Sequence, residues 1–141
     1  MITLEKKINV LRFAFRDLGL RKPTLKDFRD FTSVAYDLGI RIELKKQEIL
    51  ERKIIDYFGE DRSTEVFTKS VFELTDDESG DSSYRFEVFS KGRAYLYDDH
   101  LTESDRNAMQ NAQEKAFSKL INALVSKLSW EEFQQSKFIW I

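Results

Sequence analysis

The chain has no cysteine, one histidine, one proline and five glycines, and each scarcity removes a class of chemistry. Without cysteine there are no disulfides, no thiolate zinc sites and no cysteine nucleophiles. A single histidine, His100, has no second imidazole with which to share a metal ion. The glycines are scattered one at a time, so no glycine-rich loop is present to cradle a phosphate. No stretch approaches the ~18–20 unbroken apolar residues of a membrane span. The opening Met1-Ile2-Thr3-Leu4-Glu5-Lys6-Lys7 lacks the basic-then-apolar order and the cleavage site of a secretory signal. These features set the expectation of a cytoplasmic protein with no cofactor, no metal and no membrane partner.

What is present is material for one core. Hydrophobic residues make up 41% of 141 positions and twelve are Phe, while 34% are charged, so one well-solvated domain is expected over 1–141. Charge is uneven: residues 1–58 carry 13 basic and 9 acidic side chains, and residues 59–102 carry 5 and 11. A basic leading part followed by an acidic middle can mark a face for an anionic partner.

Two phrases punctuate the leading part. Phe15-Arg16-Asp17-Leu18-Gly19-Leu20-Arg21 returns as Ala35-Tyr36-Asp37-Leu38-Gly39-Ile40-Arg41. Gly followed by an apolar residue is the chemistry of a helix C-terminus, since Gly takes the left-handed position without a Cβ clash. Leu4, Ile8, Leu11, Phe15 and Leu18 form one helical stripe after a capping Thr3 and ending at Gly19. Thr24-Leu25-Lys26-Asp27, just after Pro23, has the layout of a capping box. It opens a second helix, with Leu25, Phe28, Thr32, Ala35 and Leu38 on one face, ending at Gly39. A third helix is expected from Glu43 or Lys45 to Phe58, burying Ile49, Leu50, Ile54, Tyr57 and Phe58.

The period then changes. Glu65–Leu74 is rich in β-branched and aromatic residues and reads as a strand. An acidic loop spans 75–83, and Tyr84–Phe89 is a second strand. Ser90-Lys91-Gly92 reads as a tight turn into a third strand, Arg93–Tyr97, so that Val88 faces Tyr95 and Phe86 faces Tyr97. Thr102-Glu103-Ser104-Asp105 opens the longest helix. Its Ala-rich stripe, from Met109 and Ala112 through Leu128, allows close approach to the sheet. Ser129 caps a short helix, and the chain ends on Phe138-Ile139-Trp140-Ile141. The fold expected is α+β: three N-terminal helices, a three-stranded antiparallel meander, and a long C-terminal helix packed on the sheet. Residues 1–58 form the helical part, 64–98 the sheet, and 102–141 the long helix with an apolar tail.

Several stretches resemble known families. The order helix, three-strand meander, helix, terminal strand over about 43–141 resembles the core of the PD-(D/E)xK nucleases. That family places an acid on the second strand, which Glu87 could supply, and Glu-x-Lys on the third, where Arg93-Ala94-Tyr95-Leu96-Tyr97 has neither residue. Leu38-Gly39-Ile40 followed by Lys45-Lys46 and Leu50 resembles SAP-type and Rho-N-terminal-type motifs, which implies DNA or RNA binding at a basic helix start. The order of elements over 43–128 is similar to a double-stranded RNA-binding domain, although its last helix opens on acidic Glu103 and Asp105. Three helices before a hairpin also resemble a winged helix, here with an acidic wing loop at 75–83.

Three functional expectations follow. The first is a non-catalytic cytosolic binding or adaptor domain working through protein–protein contacts or self-association, with Phe138, Ile139, Trp140 and Ile141 as the candidate partner surface. That terminal segment is apolar enough to require burial, in its own sheet or on a second subunit. The second is a nucleic-acid-binding module using Lys22, Lys26, Arg41, Lys45, Lys46, Arg52 and Lys53. The third is a hydrolase or nuclease site near Glu87, Asp98, Asp99 and His100, where a carboxylate and an imidazole could work as a general base.

Overall fold

In the computed structural model, which describes residues 2–20, 23–57, 61–78, 83–96, 101–135 and 138–140, the N-terminal stripe winds into helix α1, Leu4–Ala14. The Thr3 hydroxyl accepts from the Lys6 N–H at 3.3 Å, as its capping position requires. α1 stops before Gly19, and a 3-10 segment, Arg16–Leu20, takes up the first Asp-Leu-Gly phrase. The tighter winding carries Leu18 into the core, where it is buried. The second phrase does end its helix. α2, Leu25–Asp37, opens on a complete Thr24–Asp27 capping box and closes at Gly39, whose φ is +83°.

The expected third helix over 43–58 is a strand instead. β1 runs Ile40–Tyr57 and pairs antiparallel with β2, Asp61–Asp76. Register shifts at Lys45 and Leu50 each insert one extra residue into β1. β3, Ser83–Tyr95, passes straight through Ser90-Lys91-Gly92, so the tight turn expected there does not form. Val88 lies opposite Ser70, Phe86 opposite Phe72 and Tyr95 opposite Ser63, all on β2, replacing the expected pairs within 84–97. Tyr97, Phe58 and Gly59 lie outside the described residues. The chain continues through α3, Leu101–Asn122, a π-turn at Ala123–Lys127, α4, Trp130–Gln135, and β4, Phe138–Trp140. β4 joins β3 in parallel, giving the strand order β1-β2-β3-β4.

The result is an α+β fold with its long C-terminal helix packed on the sheet. The helices cover one face. Phe28 of α2 stacks on Phe117 of α3 at 4.0 Å between ring centroids, and both rings contact Phe72 of β2. The even-numbered residues of β2 from Thr64 to Asp76 are all buried beneath this layer. Phe31, Ile40, Leu74, Phe86, Leu120, Ile121 and Phe133 complete the core. A second, smaller cluster of Val66, Ala108 and Ala112 lies under the first half of α3. There α3 touches strand backbone. A Cβ built on Gly92 would stand 1.9 Å from the Ala108 carbonyl oxygen and 2.4 Å from the Ala112 nitrogen. The Ser90 hydroxyl donates to the Ala112 carbonyl at 2.6 Å.

Candidate functional site

The two long edges of the sheet are finished differently. On β3, three carbonyls on odd-numbered residues accept side-chain hydrogen bonds from α3. Lys119 Nζ reaches the Phe89 oxygen at 2.6 Å, Asn111 Nδ2 the Arg93 oxygen at 2.7 Å, and Ser104 Oγ the Tyr95 oxygen at 2.9 Å. Over Arg85–Glu87 the same edge is taken by β4. β1 forms the other edge. None of the described elements pairs with its outer side along 18 residues. Leu50 and Ile54, expected in a helical core, are 45% and 49% exposed there.

The face of the sheet opposite the helices carries charges of both signs around two rings. Phe67 and Phe89 stack at 5.9 Å. Beside them Lys69 stands 3.7 Å from Glu48 and 3.8 Å from Glu87. Glu87 is buried, and its Oε2 has no hydrogen-bond partner. In the register it lies between Val71 of β2 and Trp140 of β4. Glu87 is thus on the third strand, not the second as the nuclease-like expectation placed it. Asp98, Asp99 and His100, which were to share its site, lie outside the described residues. Among the described residues no group of three or more His, Asp or Glu side chains is arranged to hold a metal ion.

The basic residues expected at a nucleic-acid surface are spread along an edge strand rather than gathered on one helix. Arg41 bonds Asp77 at 3.1 Å and Lys45 bonds Glu43 at 2.9 Å. Lys46 lies 3.7 Å from Glu48, Lys53 3.7 Å from Glu51, and Arg52 2.9 Å from Asp105 of α3. The hydrogen bond between Lys45 and Glu43 lowers the glutamate's pKa and raises the lysine's. Each cation therefore meets a carboxylate, and the field they project is that of a mixed, solvated strand. Lys26 is exposed on α2 rather than on β1, and Lys22 lies outside the described residues. Of the apolar tail, the backbone of Phe138–Trp140 pairs within the chain. Its side chains and Ile141 are outside what is described.

Two further features are accounted for by the fold. Lys7 of α1 is buried with its ammonium 3.0 Å from Asp76 and 3.2 Å from Glu78. Burial acts most strongly on Lys7 and depresses its pKa, but the hydrogen bonds and charges of Asp76 and Glu78 together outweigh it, leaving the pKa raised. A groove of about 430 Å³ lies between α2, β3 and α3, lined by Pro23, Thr24, Leu25, Arg93, Asn111, Glu114 and Lys115. Its polar groups are largely committed, Thr24 to the helix cap and Asn111 to the β3 carbonyl. No described helix is long and apolar enough to cross a membrane. No family model matches this chain, and no curated protein sequence matches it either.

Proposed function

We propose that this chain is a non-catalytic cytoplasmic binding domain that works through protein–protein contacts, made at the exposed edge of β1. One observation carries the reading: an 18-residue strand whose outer side no described element pairs with, in a sheet where the exposed side of β3 is covered by α3 and β4. Unpaired strand edges present rows of backbone donors and acceptors, and adding a strand to one is a recurrent mode of recognition. Exposed Leu50 and Ile54 supply apolar anchors beside those groups. The cysteine-free composition is compatible with a reducing compartment.

The test is site-specific photo-crosslinking in the cells that express the protein. A photoreactive residue at Leu50 should give a discrete protein adduct, and one at Tyr36, 68% exposed on α2, should not. Equal labelling at both positions, or none at Leu50, would refute the edge as the contact.

A further inference from the structure

The β1 edge reads as self-complementary about one residue. We propose that it pairs with the same edge of a second copy of this chain, antiparallel about a two-fold axis at Arg52. This rests on the protein-contact reading and names its partner. With the axis there, Glu51 lies opposite Lys53 of the second copy and Ile54 meets the Ile49–Leu50 bulge, and the two-fold repeats both pairings. Among the described residues of β1, Leu50 and Ile54 are the exposed large apolar side chains, at 45% and 49%, and this register brings the bulge of one copy to Ile54 of the other. Glu51 and Lys53 pair loosely within the strand at 3.7 Å with side chains 58% and 57% exposed, and across the axis each also meets its opposite. Directly opposed residues of antiparallel strands bring their Cβ atoms to about 4.5–5.5 Å, within reach of ion pairing and apolar contact.

The residue on the axis meets itself, and Arg52 is prepared for that. Its guanidinium is held 2.9 Å from Asp105 of its own α3, so two neutral pairs face each other rather than two cations. Three nearby registers are penalised. Moving the axis to Glu51 or to Lys53 sets that charge against its own copy. Moving it between Ile49 and Leu50 sets Lys46 against Lys53 and Glu48 against Glu51, like against like. The extra residue at Leu50 makes a bulge that pushes its side chain out of the regular ladder beside the Ile54 position of the second copy. An unrelated strand could hydrogen-bond to the same backbone, but it would have to carry its own complementary order of apolar, basic, acidic and apolar positions, which a second copy supplies by symmetry. The contact is isologous, each copy giving the patch it receives.

Sedimentation equilibrium on the full chain tests this with two charge reversals, Glu51→Lys and Lys53→Glu. The wild type is expected to be dimeric. Either single variant turns two attractive cross-strand pairs repulsive and should weaken the dimer by roughly tenfold or more. Mixing the two variants restores opposite charges at both pairings, so the mixture should regain wild-type affinity as a heterodimer. Recovery on mixing also shows that both variants are folded. A wild type monomeric at all concentrations, or a dimer that neither reversal weakens, would overturn the proposal. If the wild type is monomeric and a photoreactive residue at position 50 still captures a different protein, self-pairing is refuted while the protein-contact reading survives. If it captures nothing, both fall.

Discussion

Replacing Gly92 with alanine adds one methyl group where the structure has no room for it. The new Cβ would lie 1.9 Å from the Ala108 carbonyl oxygen, 2.4 Å from the Ala112 nitrogen and 2.9 Å from the Ala112 Cβ. Two of these three atoms are helix backbone, so no side-chain rotation relieves the clash. α3 must lift from β3 by more than an ångström at this point. Overpacking of a well-filled core costs about 1–3 kcal/mol and occasionally more. Lifting the helix also stretches the 2.6 Å hydrogen bond from Ser90 to Ala112, a further loss of about 1 kcal/mol. A destabilisation of about 2–4 kcal/mol follows, which in a chain of this size lowers the melting temperature by roughly 10 °C. Thermal and urea unfolding followed by circular dichroism read both quantities. Lys91→Ala, one residue away and exposed, should stay within about 0.5 kcal/mol of wild type. Adding Ala112→Gly to Gly92→Ala should rescue little, because the nearest atom is the Ala108 oxygen. A Gly92→Ala protein as stable as wild type would refute the claim that α3 rests on strand backbone here.

Three other expectations concern the N-terminal helices. Thr24→Ala removes the hydroxyl of the α2 capping box and should cost about 1 kcal/mol in urea unfolding. Gly39→Ala forces a side chain into the left-handed region at φ +83° and should cost about 1–2 kcal/mol. Lys7→Met leaves the buried Asp76 carboxylate without its ammonium partner, a loss of about 3–5 kcal/mol at neutral pH. The same lysine predicts a pH dependence. Because its folded pKa is raised above the ordinary 10.5, its contribution is complete below that value. It is then lost as pH climbs through the raised one. Wild-type stability should fall across that alkaline range by more than the Lys7→Met protein's does, as calorimetry at stepped pH would show.

Helix boundaries were legible wherever local chemistry decides them. Thr3, the Thr24–Asp27 box and Gly39 each act through a hydrogen bond or a backbone angle confined to a few residues. The alanine stripe of α3 likewise announced a close approach to the sheet, and its Ala112 makes it together with Ala108, which the stripe from Met109 did not include. β1 was misread because two bulges disturb its period. Its helix-facing positions run Ile40, Ile42 and Leu44, then Gln47 and Ile49, then Arg52 and Ile54, slipping by one residue at Lys45 and again at Leu50. Alternation is hidden by those slips, while Lys, Gln, Glu, Leu and Arg between 45 and 53 favour helix intrinsically. The surviving signal was the alternation Ile40-Arg41-Ile42-Glu43. Gly92 was misread for a different reason. A glycine between two β-rich runs indicates a turn locally, yet here its missing Cβ serves a helix 16 and 20 residues further on, at Ala108 and Ala112. The edge of β1 could not emerge from the sequence while 43–58 read as helix, since exposure of Leu50 and Ile54 depends on which strand ends the sheet.

The three hydrogen bonds that α3 lends to the carbonyls of β3 bear on how large an assembly can grow. A sheet with two pairable edges is a polymer unit, since each added copy offers a fresh edge to the next. Here Lys119, Asn111 and Ser104 occupy carbonyls that an incoming strand would need, and the outermost strand on that side has three residues. If copies pair at β1 as proposed, the described elements leave that edge as the long one open to growth, and a two-fold contact uses it up. A chain paired in that way would stop at two copies, and loosening the first half of α3 would expose the second edge and allow an open-ended stack of sheets.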